Sequence, residues 1–168
     1  GQDGESDDAY RDRIYNAPAA FSTAGPEEAY RFWAYTGSGS IIDVEAYSPT
    51  SGVAEIRPLL EGGIIPDQAI LDAVYDALSP SHIRPLCDHV VVLPPDPVGY
   101  AVELTYYIRR ADQGSADTIQ QRVNDAVAEY VAWQRSKLGR DINPDELIAR
   151  VKAAGAKRLV VDNPEFRT

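Results

Sequence analysis

The 168-residue chain is 44% apolar and 25% charged, which is typical of a folded globular protein and leaves room for one domain or two small ones. No apolar run approaches the roughly 18 to 20 residues that span a bilayer, and no secretory signal opens the sequence, so we expect a soluble protein of cytoplasmic origin. The single cysteine, Cys87, excludes an internal disulfide. The lack of methionine and the abrupt ends suggest a piece of a longer protein.

The negative charge is concentrated in the first part of the chain. Residues 1–97 hold 5 Lys/Arg and 16 Asp/Glu, a net charge of −11, whereas residues 98–168 hold 11 and 10, a net charge of +1. An acidic surface repels phosphate backbones, so nucleic-acid binding is not expected. Most of these carboxylates are interpreted as a solvated surface.

Two helix-start signals open the first part. Ser6 can cap a short helix over residues 9–14, and Pro26, which is followed by two glutamates, predicts a helix that runs to about Thr36. Positions at helical spacing give this second helix one aromatic face, which we predict to be core. That face consists of Ala29, Phe32, Trp33 and Thr36.

A β-hairpin is predicted next. Residues 42–47 alternate as in a half-buried strand, 48–52 form a turn, and 53–59 form the second strand, in which Pro58 marks an end or an edge. Gly62 and Gly63 break that strand. The inward side chains of the first strand are predicted to be Ile42, Val44 and Ala46.

One more helix and strand complete the first part. Pro66 is predicted to open a helix that ends before Ser79, and residues 89–93 are so apolar that a strand buried on both faces is expected. The apolar face of the helix would be Ile70, Leu71, Val74 and Leu78. The proline-rich stretch 94–97 then marks a boundary, which gives two predicted domains, 1–97 and 98–168.

The second part reads as β-α-α-β. Residues 100–109 alternate in the clearest strand pattern of the chain, and Ser115 can start a helix that reaches about Leu138. Asn143 caps a further helix, and Gly155 suits the position after its end, before a strand over 157–162. The expected fold class is α+β, with two small mixed domains that each pack a short β-sheet against helices.

The residues that could carry chemistry all have a simpler structural interpretation. His82, Cys87 and His89 could suggest a metal or thiol site, but the strand would offer only two ligands on one side. Asp43 and Glu45 share a strand face, as solvent-facing acids often do, and Glu103 is better explained by a cross-strand partner or an interface. The glycines at 37–40 and 62–63 lack the lysine of a phosphate-binding loop and are predicted to be turns.

Tyrosine is used ten times against three phenylalanines. A tyrosine combines apolar area with a polar tip, which suits protein interfaces and wet core edges alike. The tyrosines on or beside strands are therefore candidates for interface contacts: Tyr47, Tyr100, Tyr106 and Tyr107.

Several segments, in this order, resemble the baseplate J-like family of contractile phage tails. They are ESDDAYRDRI at 5–14, AGPEEAYRFWA at 24–34, the hairpin at 42–53, LSP at 78–80, RPL at 84–86 and DHVVV at 88–92, followed by the proline-rich link into an alternating strand. The ordered set is far more specific than any one segment.

The resemblance implies a structural, non-enzymatic part that assembles wedges around the tail hub through protein–protein contacts. It implies no catalytic, cofactor-binding or metal residues and no cofactor. The implied partners are other wedge and hub proteins, with self-association, and neither nucleic acid nor membrane; the implied location is the virion tail baseplate, and the host cytoplasm during assembly. The alternative is a small α+β ligand-binding or enzymatic module whose site is assembled from distant residues such as Asp43, Glu45 or His89.

Overall fold

A computed structural model describes residues 26–80 and 89–168, together with four residues near the start of the chain. These four, Asp7, Tyr10, Arg11 and Ile14, are helical; the rest of the helix predicted over 9–14 lies outside the described residues. The chain divides into two compact units, Gly1–Asp96 (unit 1) and Pro97–Thr168 (unit 2). Within the described part, no helix combines the length and apolarity needed to cross a membrane.

Over the described residues from 26 onward, unit 1 is a three-stranded sheet with two α-helices. Its elements in chain order are α1 (Pro26–Gly37), β1 (Ile41–Tyr47), β2 (Val53–Leu60), a 3-10 turn (Glu61–Gly63), α2 (Gln68–Leu78) and β3 (His89–Val92). The strand order is β1-β2-β3; β2 pairs with β1 antiparallel, as the predicted hairpin requires, and with β3 parallel. The core lies between the sheet and the helices and consists of Tyr30, Ala34, Ile41, Val44, Ala46, Ala54, Ile56, Val74, Leu78 and Val90.

The predicted core face of α1 is only partly right. Tyr30 and Ala34 are the buried residues, whereas the four predicted residues are half-buried, and of these Trp33 packs against the core. The helix α1 contacts both α2 and β1, so its inward side is wider than a single stripe. At Gly37 the two helices lie so close that an added Cβ would be 2.8 Å from the Cα of Val74.

Two strand predictions in unit 1 also need correction. A bulge between Ile41 and Asp43 shifts the alternation of β1, so Ile41 is buried and Ile42 is exposed, while Val44 and Ala46 face inward as predicted. The strand β3 is not buried on both faces: it is an edge strand in which only Val90 is buried.

Proline positions shape the middle of unit 1. Pro58 lies inside β2, opposite Val44, but the pairing of β2 with β3 ends at Ile56, so Pro58 stands where β2 has a partner on one side only. The helix α2 begins at Gln68, two residues after Pro66, because the Asp67 side chain accepts a hydrogen bond from the Ile70 N–H at 3.1 Å and caps it.

Unit 2 is the predicted β-α-α-β arrangement. It consists of β4 (Glu103–Tyr107), a 3-10 turn (Arg110–Ser115), α3 (Ala116–Arg135), α4 (Pro144–Ala153) and β5 (Arg158–Asn163), with β4 and β5 antiparallel. The alternation is confirmed, since Tyr100, Val102, Leu104, Tyr106 and Ile108 all pack against the core. The buried centre of that core is Ile119, Val123, Tyr130, Leu147, Val151 and Ala156.

The ends of the unit 2 helices follow local chemistry. Asn143 caps α4 by accepting from the Asp145 N–H at 2.9 Å, whereas the Ser115 side chain makes no capping bond although α3 begins beside it. The helix α3 ends at Arg135, three residues before the predicted Leu138. Beyond it Gly139 adopts a φ of +60°, and the Gln134 side chain donates to the Arg140 and Asp141 carbonyls. The expected fold class, α+β in two small units, is confirmed.

Candidate interaction surfaces

A four-residue polar network covers the outer face of the unit 1 sheet. The β1–β2 register places Tyr47 opposite Glu55, and Arg57 follows two residues later on the same face. The Tyr47 hydroxyl donates to the Glu55 carboxylate at 2.5 Å, and the Arg57 Nε donates to the same oxygen at 2.7 Å. Arg57 Nη1 also donates to the Asp96 carboxylate at 2.6 Å and to the Pro94 carbonyl at 3.0 Å. The network thereby fastens the proline-rich stretch to β2.

The same contacts determine which forms of these groups are favoured. The Tyr47 hydroxyl, and then Arg57, hold the pKa of Glu55 below its ordinary value, while the bond to Glu55 raises the pKa of Tyr47. The two carboxylates raise the pKa of Arg57, with the hydrogen bond to Glu55 the largest cause. An arginine held between two carboxylates is a structural arrangement, because its hydrogen bonds join β2 to the stretch after β3.

The predicted tyrosine set divides into two pairs. Tyr47 and Tyr107 are 42% and 53% exposed, which fits a surface role, whereas Tyr100 and Tyr106 pack against the unit 2 core. Burial raises the pKa of Tyr100.

The outer face of the unit 2 sheet is a mixed polar and apolar surface. Tyr107 lies opposite Arg158, whose guanidinium is 5.8 Å from the ring centre, and Val160 is 40% exposed on the same face. The expected cross-strand partner of Glu103 is confirmed as Asn163, which donates to it at 2.7 Å.

A basic pocket in unit 2 is a feature that sequence reasoning missed. It has a volume of about 340 Å³ and lies between the start of α3 and the turn that joins α4 to β5. Four cationic side chains and one carboxylate line it: Arg109, Arg122, Lys152, Lys157 and Asp112. These residues are far apart in the sequence, so only the tertiary fold reveals the cluster.

Among the candidate chemical residues, only His89, Asp43 and Glu45 can be placed in unit 1. His89 lies exposed on the edge strand β3, while His82 and Cys87 lie outside the described residues. Glu45 pairs with Arg31 at 3.5 Å, and the Asp43 carboxylate accepts the N–H of Val44. Among the described residues, no group of three or more His, Cys, Asp or Glu is arranged to hold a metal ion.

The glycine clusters are turns, as predicted. Gly62 and Gly63 adopt φ of +73° and +72°, which glycine adopts without strain, at the end of β2. The residues after Gly37 form the turn into β1.

Comparison with known proteins assigns both units. Residues 22–94 match the family model described as the Baseplate J-like central domain, and residues 102–168 match the Baseplate J-like protein C-terminal domain. The chain is also 28% identical over 161 residues to Baseplate protein J of Escherichia phage P2, an alignment that covers 95% of this chain and 52% of the phage protein. The chain thus spans about half the length of that relative. The resemblance noted in the sequence is confirmed: the chain belongs to the baseplate J-like family, which is found in the tail baseplate of phage virions.

Proposed function

We propose that the chain is a structural component of a phage or prophage-like contractile-tail baseplate, where it assembles wedges around the tail hub through protein–protein contacts. The observation that carries the proposal is that two family domains, central and C-terminal, follow one another over residues 22–94 and 102–168. The protein would meet its partners in the host cytoplasm during assembly.

We propose a non-enzymatic role as part of this function. Active sites tend to combine a pocket with groups of perturbed pKa. Among the described residues, the lowered pKa of Glu55 and the raised pKa of Arg57 belong to an ion-paired network on the unit 1 sheet, and neither residue lines the pocket of unit 2. This separation supports an assembly role over the alternative of a ligand-binding or enzymatic module.

The proposed partners are other wedge and hub proteins, together with further copies of the chain. The net charge of −11 over residues 1–97 supports selection by charge, because complementary potentials raise association rates and disfavour like-charged partners. The domain limits 1–97 and 98–168 belong to the same proposal: each part would fold around its own core.

Co-expression tests the assembly role. The tagged chain would be expressed with the tail proteins encoded beside its gene, purified by the tag, and the mass of any complex determined by light scattering. We expect a complex of fixed stoichiometry that dissociates as the salt concentration rises, since screening weakens contacts between exposed charges.

The control is the same tag on an unrelated acidic domain, which should recover none of these proteins. A well-folded chain that recovers no tail protein at low salt would contradict the proposed function. Recovery that is insensitive to salt would retain the assembly role and reject selection by charge.

A further inference from the structure

The cationic side chains of the basic pocket have no counter-ions within their own unit. No ion pair among the described residues involves any of the four: Arg109, Arg122, Lys152 or Lys157. This includes Asp112, the one carboxylate that lines the pocket. Arg150, on α4, shows the contrast because it pairs with Glu146 at 2.8 Å. Four like charges around one pocket repel each other, and a bound anion would relieve that repulsion.

The pocket suits carboxylates carried on a protein surface. A volume of about 340 Å³ holds a short acidic side chain or two, and arginine and lysine both donate charge-assisted hydrogen bonds to carboxylate oxygens. The exposed Ser115 hydroxyl on the pocket wall supplies a further donor. A nucleic acid fits poorly, because residues 98–168 have a net charge of only +1 and so lack the strongly basic surface that a phosphate backbone requires.

Unit 1 carries a matching acidic edge on α2. This helix contains no lysine or arginine, and Asp72 and Asp76 are exposed on it one turn apart, beside Tyr75, which is 43% exposed. Neither aspartate forms an ion pair in the described part of the chain; Asp72 accepts a hydrogen bond from Gln68 at 2.8 Å.

Several other acids of unit 1 are held by its arginines. Glu27 and Glu45 both contact Arg31, at 3.1 and 3.5 Å. Glu55 and Asp96 both contact Arg57. Asp72 and Asp76 differ from these in that they form no ion pair among the described residues, and they lie one turn apart beside Tyr75, an aromatic side chain that can lie against an arginine.

We propose that the basic pocket of one copy binds the α2 edge of a second copy, through Asp72 and Asp76. The inference rests on the proposed function, in which copies of the chain associate. The two surfaces are different, so the contact is heterologous, and contacts of this kind propagate from copy to copy until they close into a ring or continue as a filament.

Sedimentation equilibrium of the 168-residue chain at low salt measures the contact. The neutral variants are Arg122→Gln with Lys152→Gln in the pocket, and Asp72→Asn with Asp76→Asn on α2. Each should weaken self-association about tenfold or more, since close interfacial charge pairs have substantial coupling energies. The matched control, Arg135→Gln with Lys137→Gln, removes the same charge from exposed residues outside the pocket and should change the association less than about twofold.

A charge swap gives the sharpest result. The variant with Arg122→Glu and Lys152→Glu and the variant with Asp72→Lys and Asp76→Lys should each lose self-association, and mixing them should restore a complex. Circular dichroism checks folding; if a reversed variant unfolds, the neutral pairs carry the test.

The contrary outcomes are equally defined. A wild-type chain that stays monomeric at every concentration, a control that weakens association as much as the pocket variant, or folded swap variants that fail to associate would each overturn the inference. Inorganic phosphate that binds the pocket of a monomeric chain would also overturn it, in favour of a small-anion site. A chain that joins tail proteins but does not self-associate would reject this contact alone, whereas self-association without recovery of tail proteins would reject the proposed function.

Discussion

In unit 1, Arg31 and Arg57 each lie between two carboxylates, whereas in unit 2 four cations surround a pocket without a counter-ion among the described residues. The paired arginines join elements of their own unit: Arg31 links α1 to β1, and Arg57 links β2 to the stretch that follows β3. The difference indicates that these two arginines of unit 1 stabilise its fold, while the cations around the pocket are available to a partner.

The cores of the two units differ in a similar way. The core of unit 1 is built on a sheet of three strands, and small residues bring its helices close; the core of unit 2 has only two strands and depends on α3 and α4. Each unit also contains one of the two tryptophans, Trp33 and Trp133. Variants that retain a single tryptophan therefore report on one unit at a time.

The largest effect is expected from truncating the core of either unit. Leu78 and Leu147 are fully buried, and Leu→Ala at such sites costs roughly 2–5 kcal/mol because a cavity is left. If the proposed domains fold separately, Leu78→Ala should lower the unfolding midpoint seen by Trp33 and leave that seen by Trp133 unchanged, and Leu147→Ala should do the reverse. Urea unfolding followed by fluorescence measures both.

Leu93→Ala is the control, since Leu93 is 37% exposed and its truncation leaves no cavity. A single transition that both core variants shift together would show that the two parts unfold as one, and the proposed domain limits would be wrong.

Replacing a glycine by alanine should lower the free energy of unfolding by a smaller amount, and the physical reason differs between the two units. At Gly37, a Cβ would meet the Val74 backbone at 2.8 Å, so Gly37→Ala forces α1 and α2 apart and should cost about 1–3 kcal/mol. At Gly155, the nearest atoms are 3.5 Å away, but φ is +118°, so Gly155→Ala should cost about 1 kcal/mol or more through backbone strain.

Thermal unfolding of the same single-tryptophan variants separates these two costs. Gly99→Ala is the matched control, because nothing lies within 4 Å of its added Cβ and its φ is not positive. An unchanged midpoint for Gly37→Ala would mean that the helices do not pack as closely as the structure shows.

The parts of the fold that sequence could predict are those in which local pattern decides the outcome. The pairing of the β1–β2 hairpin and the alternation around β4 depend only on residue spacing and turn signals, and both are confirmed. The core face of α1 could be read only in part, since it depends on which neighbours the helix has: Trp33 packs against the core, but Tyr30 and Ala34 are the residues that are buried. The run at 89–92 likewise shows a strand but not its place at the edge of the sheet.

The candidate site was less accessible to sequence than the fold. Arg109 and Lys157 are 48 positions apart in the chain, and only the packing of α3 against the turn after α4 brings them to one pocket. The network of Tyr47 and Glu55 was closer to prediction because it follows from hairpin register, yet the part played by Asp96 requires knowledge of where the chain goes after β3.

Lowering the pH should reduce the stability of unit 1, because Glu55 becomes protonated. Its pKa is lowered in the folded state, so its contribution to stability is present above the ordinary glutamate pKa of about 4.3 and is lost as the pH falls through the folded value. The unfolding midpoint reported by Trp33 should therefore decline in that range. In the Glu55→Gln variant the unfolding midpoint should depend less on pH. If the midpoint of that variant falls as steeply as that of the wild type, other carboxylates cause the loss of stability.

Raising the pH should reduce the stability of unit 2 through Tyr130, and this loss of stability is expected to be the smallest of the effects. Burial raises the pKa of Tyr130, so its stabilising contribution is complete below the ordinary tyrosine pKa of about 10 and is lost as the pH rises through the folded value. Tyr130→Phe should flatten the alkaline decline reported by Trp133. It should cost little at neutral pH, because the Tyr130 hydroxyl is buried without a hydrogen-bond partner in the described structure. A large loss of stability in Tyr130→Phe at neutral pH would instead show that the hydroxyl has a hydrogen-bond partner.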